Sequence, residues 1–92
     1  MATVAVSYPD YNEAHGVIID PDGGDVEVRV GQYEVEILAD RAGLRDLARW
    51  CLALADDSAP FGSHIHLDPN VSPLTPESLP LLIARRDAPV PP

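Results

Sequence analysis

A chain of 92 residues has room for one domain with a single modest core. Fifteen acids stand against six arginines and no lysine, giving a formal net charge of −9. That balance excludes the cationic surface that direct binding to nucleic acid or to an anionic membrane requires, and it favours a basic protein partner or a cation.

Cys51 is the sole cysteine, so no internal disulfide forms. Its place in a helical apolar pattern suggests a buried, inert thiol. No apolar stretch reaches membrane-spanning length, and the start of the chain lacks a charged segment followed by an apolar run. The expected setting is cytoplasmic.

Residues Thr3 to Ser7 alternate, with Val4 and Val6 on one side, and read as a strand. Gly16-Val17-Ile18-Ile19-Asp20 reads as a second, followed by the turn signal Pro21-Asp22-Gly23-Gly24. Val26-Glu27-Val28-Arg29-Val30 and Tyr33-Glu34-Val35-Glu36-Ile37 both alternate strictly. With Gly31-Gln32 as a two-residue type II′ loop, Val30 faces Tyr33, Val28 faces Val35 and Val26 faces Ile37. In that register the charged face sets Arg29 against Glu34 and places Glu27 opposite Glu36, a like-charge pair that a cationic partner would relieve.

Asp40 can cap a helix in which Leu44, Leu47, Ala48, Cys51, Leu54 and Ala55 follow helical spacing, ending near Asp56-Asp57. Trp50 falls at the margin of that face. Arg41, Arg45 and Arg49 form a stripe that reads as the solvated side. Ser63 to Asp68 alternates as a fifth strand. Leu81 to Arg85 reads as a sixth, with both faces largely covered.

The fold expected is α+β and two-layer, with one amphipathic helix on one face of a mainly antiparallel sheet of about six strands. Residues 1–86 make a single domain, and 87–92 a disordered Pro-rich tail.

His64, His66 and Asp68 share one face of a strand. Two imidazoles and a carboxylate suit zinc or another transition metal, and such a site would make a metal-binding protein or a small hydrolase. The plainer reading is a partner contact or a structural role. His15 has no partner placed by sequence. Glu27, Glu34 and Glu36 form an acidic patch. It suits a basic partner better than acid–base catalysis, which needs a buried carboxylate. Tyr8, Tyr11 and Tyr33 are candidate interface anchors. No nucleophile elbow, phosphate loop or Cys-x-x-Cys pair is present, so no cofactor and no enzyme class is indicated.

The run Gly62-Ser63-His64-Ile65-His66-Leu67-Asp68-Pro69, then Leu74-Thr75-Pro76-Glu77-Ser78 and Leu81-Leu82-Ile83, resembles the immunity protein 32 family from Asp40 to Arg85. Glu77 stands where that pattern has glycine. The resemblance implies a small bacterial protein that neutralises a cognate toxin by stoichiometric binding. The residues that would meet the partner are Glu27, Glu34, Glu36, His64, His66 and Asp68. A regulatory or scaffold module using an exposed sheet face is the other binding role open to the sequence. Oligomeric state is not fixed by it.

Overall fold

The computed structural model describes residues 1–3, 5–8, 23–70 and 73–86. The strand expected at Gly16–Asp20, together with Tyr11, His15 and the tail from 87 to 92, lies outside them. Among the described residues the elements are β1 (Val26–Val30), β2 (Val35–Ala39), α1 (Arg41–Ala55), β3 (His64–Leu67) and β4 (Leu81–Ala84). The α+β class holds. Where a single sheet of about six strands is expected, the described residues form two antiparallel pairs, β1–β2 and β3–β4. Thr3, Ala5, Val6 and Ser7 carry no strand. The Ser7 carbonyl accepts instead from Arg49 Nε at 3.1 Å.

The hairpin turns one residue later than expected. Val30 pairs with Val35, Val28 with Ile37 and Val26 with Ala39. A shift of two in the pairing sum keeps every valine on its face, so hydrophobic patterning cannot choose between the registers. Charge and the helix start can. The observed register pairs Arg29 with Glu36 and Glu27 with Leu38, which removes the expected Glu27–Glu36 opposition. It also sets Asp25 beside Asp40. The Asp40 N–H donates to the Asp25 carbonyl at 3.2 Å, and the Asp25 N–H donates to Asp40 Oδ1 at 3.2 Å. The same carboxylate caps α1 by accepting from the Gly43 N–H at 2.8 Å. One aspartate thus ends the hairpin and starts the helix.

The buried face of α1 is rotated by about one residue from the expected one. Gly43, Asp46, Trp50, Ala53 and Leu54 are buried. Leu44 and Cys51 are exposed. Two residues explain the rotation. Gly43 packs so closely that a Cβ there would lie 2.5 Å from the Asp25 carbonyl oxygen. Asp46, a polar residue in the middle of the face, is fully buried. Arg49 reaches it at 3.4 Å. Trp50 therefore fills the core centre, and Cys51 turns outward.

Val26, Val28, Trp50, Ala53, Leu54, Ile65, Leu67 and Leu74 form the core. In the second pair, Ile65 faces Ile83 and Leu67 faces Leu81 on the core side. Leu82 and Ala84 are exposed, so β4 is covered on one face only, because nothing described packs outside it.

The outer edge of β1 is closed by irregular chain. The Val26 N–H donates to the Pro73 carbonyl at 2.9 Å, the Thr75 N–H to the Val26 carbonyl at 2.9 Å, and the Leu79 N–H to the Val28 carbonyl at 2.8 Å. Between them, Thr75 to Ser78 form a turn with Pro76 second, where its fixed φ fits. The Ser78 hydroxyl accepts from the Val28 N–H at 3.0 Å. Glu77 has no positive φ and is exposed, so a glycine is not needed there. Gly62, which opens the β3 motif, does need its freedom, with φ 85°.

The C-terminus of α1 is closed by Arg85. Its NH1 donates to the carbonyls of Asp56 at 2.9 Å, Ala59 at 2.8 Å and Leu54 at 3.4 Å. The Leu54 carbonyl belongs to the open end of the helix, while those of Asp56 and Ala59 belong to the turn beyond it, where the Ala59 N–H also donates to the Asp56 carbonyl at 3.1 Å. Phe61 supports the guanidinium, whose carbon lies 4.9 Å from the ring centroid.

Candidate functional site

The β1–β2 hairpin projects past the core. Val26 and Val28 are buried at its base, but Val30 and Val35 toward its tip are 67% and 68% exposed. Ile37 and Tyr33 are exposed as well, Tyr33 at 91%. The alternation that builds a core face thus outruns the core. On the opposite face Arg29 Nε meets Glu36 Oε1 at 3.1 Å, and Arg29 NH1 lies 3.9 Å from Glu27 Oε1. One guanidinium serves two carboxylates, and Glu34 in the turn adds a third acid. Glu27, Glu34 and Glu36 therefore remain together with a net negative charge, although not as the like-charge pair expected. Such exposed ion pairs contribute little stability.

On β3, His64 and His66 point away from the core and meet edge to face, with ring centroids 5.2 Å apart. The His64 Nδ1 lies 3.1 Å from the Gly62 carbonyl oxygen. Asp68 is exposed just beyond the strand. Among the described residues, no three His, Cys, Asp or Glu side chains converge in a way that could hold a metal ion. The pair of imidazoles is brought together, and the expected three-donor set is not. No described helix is long and apolar enough to cross a membrane.

Two further groups were not legible from sequence as a site. Asp56 accepts from the Ser58 N–H at 2.9 Å, the Ser58 hydroxyl at 2.7 Å and the Tyr8 hydroxyl at 2.9 Å. The Ser58 bonds first, then Tyr8 and finally the Arg85 charge, hold its carboxyl below the usual aspartate value, against a smaller opposing effect of desolvation. This is a structural clasp, and it gives Tyr8 an anchoring role inside the molecule. The second group is a shallow apolar groove of about 250 Å³ between α1 and β4, lined by Cys51, Leu54, Ala55, Ile83, Ala84 and Arg85. A sequence signal for the groove existed in the small residues at 51, 55 and 84. Helical spacing assigns Cys51 and Ala55 to the core face, which conceals them as the rim of a groove.

The family model for immunity protein 32 matches residues 34–86, more than half of the chain. The chain belongs to the immunity protein 32 family. The matched span runs from the hairpin turn through β2, α1, β3 and β4. It includes Gly62, Ser78 and Arg85, so the β1-edge clamp and the helix-end cap both draw on residues inside it. In this member of the immunity protein 32 family, β1 with Glu27 lies outside the matched span. No curated protein and no solved structure matches the chain.

Proposed function

We propose that this protein is an immunity protein that neutralises a cognate bacterial toxin by binding it stoichiometrically, rather than by turning over a substrate. Membership of the immunity protein 32 family carries this reading. The hairpin supports it and suggests where contact is made. Its projecting part offers exposed Tyr33, Val35 and Ile37 as anchors on one face, with Glu27 and Glu36 on the other face and Glu34 in the turn. Aromatic and aliphatic anchors give most of the energy in a protein interface, while flanking charge speeds encounter and selects the partner. A basic toxin surface complements that charge, as it does the net −9 of the whole chain. His64, His66 and Asp68 are a second candidate contact on β3.

The test is binding to the toxin domain encoded beside this gene. Wild-type protein should form a one-to-one complex and protect cells that express the toxin. Tyr33→Ala should weaken the complex by about 2 kcal/mol, and Glu34→Gln with Glu36→Gln should slow association and reduce its dependence on salt. Absence of a complex with wild-type protein would end the immunity reading. An intact complex with all three hairpin substitutions in place would move the contact elsewhere, with His64→Ala and His66→Ala the next pair to measure.

A further inference from the structure

The rotation of α1 leaves a second apolar stripe on its outer side. Leu44, Ala48, Cys51 and Ala55 recur at intervals of four, three and four, the spacing of a helix-pairing seam. All four are exposed, Leu44 at 53%, and Leu52 beside them is 43% exposed. The stripe is not uniform along its length. Its N-terminal half carries a projecting leucine. Its C-terminal half carries small residues that border the 250 Å³ groove, which shares Cys51 and Ala55 with it. Charge is divided in the same way. Arg41 and Arg45 flank the N-terminal half, are exposed, and make no ion pair among the described residues. Asp57 lies just past the C-terminal end and is also exposed.

We propose that this face binds a second copy of the chain, the two α1 helices packing antiparallel about a two-fold axis. Each feature then meets its complement. Aligning Leu44 with Ala55 of the second copy sets the knob of each helix at the groove of the other. Ala48 then lies against Cys51 of the second copy, and small residues let the helix axes approach to about 8–10 Å. Asp57 of the second copy comes alongside Arg41 and Arg45. An isologous interface demands this self-complementarity, because one patch must serve both sides. Cys51 sits next to the axis, offset from its counterpart by about 4.5 Å along the helix. The net charge of −9 on each chain opposes association in general, so the local pairing of arginine with aspartate decides the register. This inference does not depend on the identity of a toxin.

Sedimentation of the full chain alone, from about 1 µM to about 1 mM at physiological salt, reads the equilibrium directly. A monomer–dimer transition is expected. Leu44→Glu, and Arg41→Glu with Arg45→Glu, should each raise the dissociation constant at least about tenfold, while the melting temperature is retained at dilutions where both proteins are monomeric. Adding Asp57→Arg to the double arginine reversal should restore the dimer. A monomer throughout the concentration range overturns the proposal. So does a dimer that survives Leu44→Glu, or one that Val35→Glu abolishes, since that would place the contact on the hairpin.

Discussion

The hydroxyl of Ser78 takes the N–H of Val28, fifty residues earlier, at 3.0 Å. It does for β1 what a neighbouring strand would do, and Thr75 Oγ1 holds it from the other side at 2.8 Å. Both ends of the bond to Val28 are buried. Ser78→Ala leaves a buried donor without a partner and should cost about 1–3 kcal/mol, measured by urea unfolding. A loss near zero would mean that the turn relaxes and lets water reach the amide.

Gly43 reverses a common rule. Glycine inside a helix usually costs up to about 1 kcal/mol relative to alanine. Here an added Cβ would lie 2.5 Å from the Asp25 carbonyl oxygen and 3.0 Å from Val26 Cγ2. Gly43→Ala should therefore destabilise the protein by at least about 1 kcal/mol, because backbone must move to admit it. Thermal unfolding of the variant that showed a gain would count against this close approach.

Asp56 gives the protein an acid-sensitive clasp. Its carboxyl is held below the ordinary aspartate value, chiefly by Ser58 and then by Tyr8 and Arg85. A depressed value means that folding favours the charged form. The resulting stability is full above the unfolded value of about 3.9 and is lost as pH falls through the lower folded value. Asp56→Asn should thus lower the melting temperature at neutral pH and flatten its fall below about pH 4. Parallel acid limbs for the two proteins would show that Asp56 is not the linked group.

Arg85 closes three carbonyls with one nitrogen. Arg85→Met keeps the apolar stem and removes the donors, so it isolates the cap from the packing. A loss of about 1–2 kcal/mol is expected, with faster amide exchange in the last turn of α1 as its local signature.

His64 and His66 lie on the surface, and their removal should be nearly silent for folding. The double alanine variant should unfold within about 0.5 kcal/mol of wild type. Protein purified without chelator should carry no stoichiometric zinc, read by elemental analysis. Zinc at one per chain, lost in the double variant, would revive a metal role.

Much of the local structure could be read from sequence because it rests on near neighbours. Alternating valines gave both hairpin strands, Asp40 gave the start of α1, and Ser63 to Asp68 gave β3. Valine patterning leaves the hairpin register open because both alternatives bury Val26 and Val28, and the charge pairing that separates them, Arg29 with Glu36 rather than Glu27 with Glu36, is a weak signal on an exposed face. The face of α1 was misplaced because a buried aspartate and a glycine do not score as core residues. Ser78 and Arg85 take their roles from partners about thirty to fifty residues away, which no local pattern encodes. The acidic residues of the candidate site were visible, but the apolar tip beside them looked like core. Only the limited reach of the helix shows that the hairpin outruns it.

The pairing of Asp25 with Asp40 makes two decisions into one. A hairpin slipped by two would still hide Val26 and Val28, yet it would pull Asp40 away from Asp25 and spoil the first turn of α1. Local mistakes in the strands are therefore charged to the helix as well. The two elements should open together in native-state hydrogen exchange, behaving as one unit of proofreading.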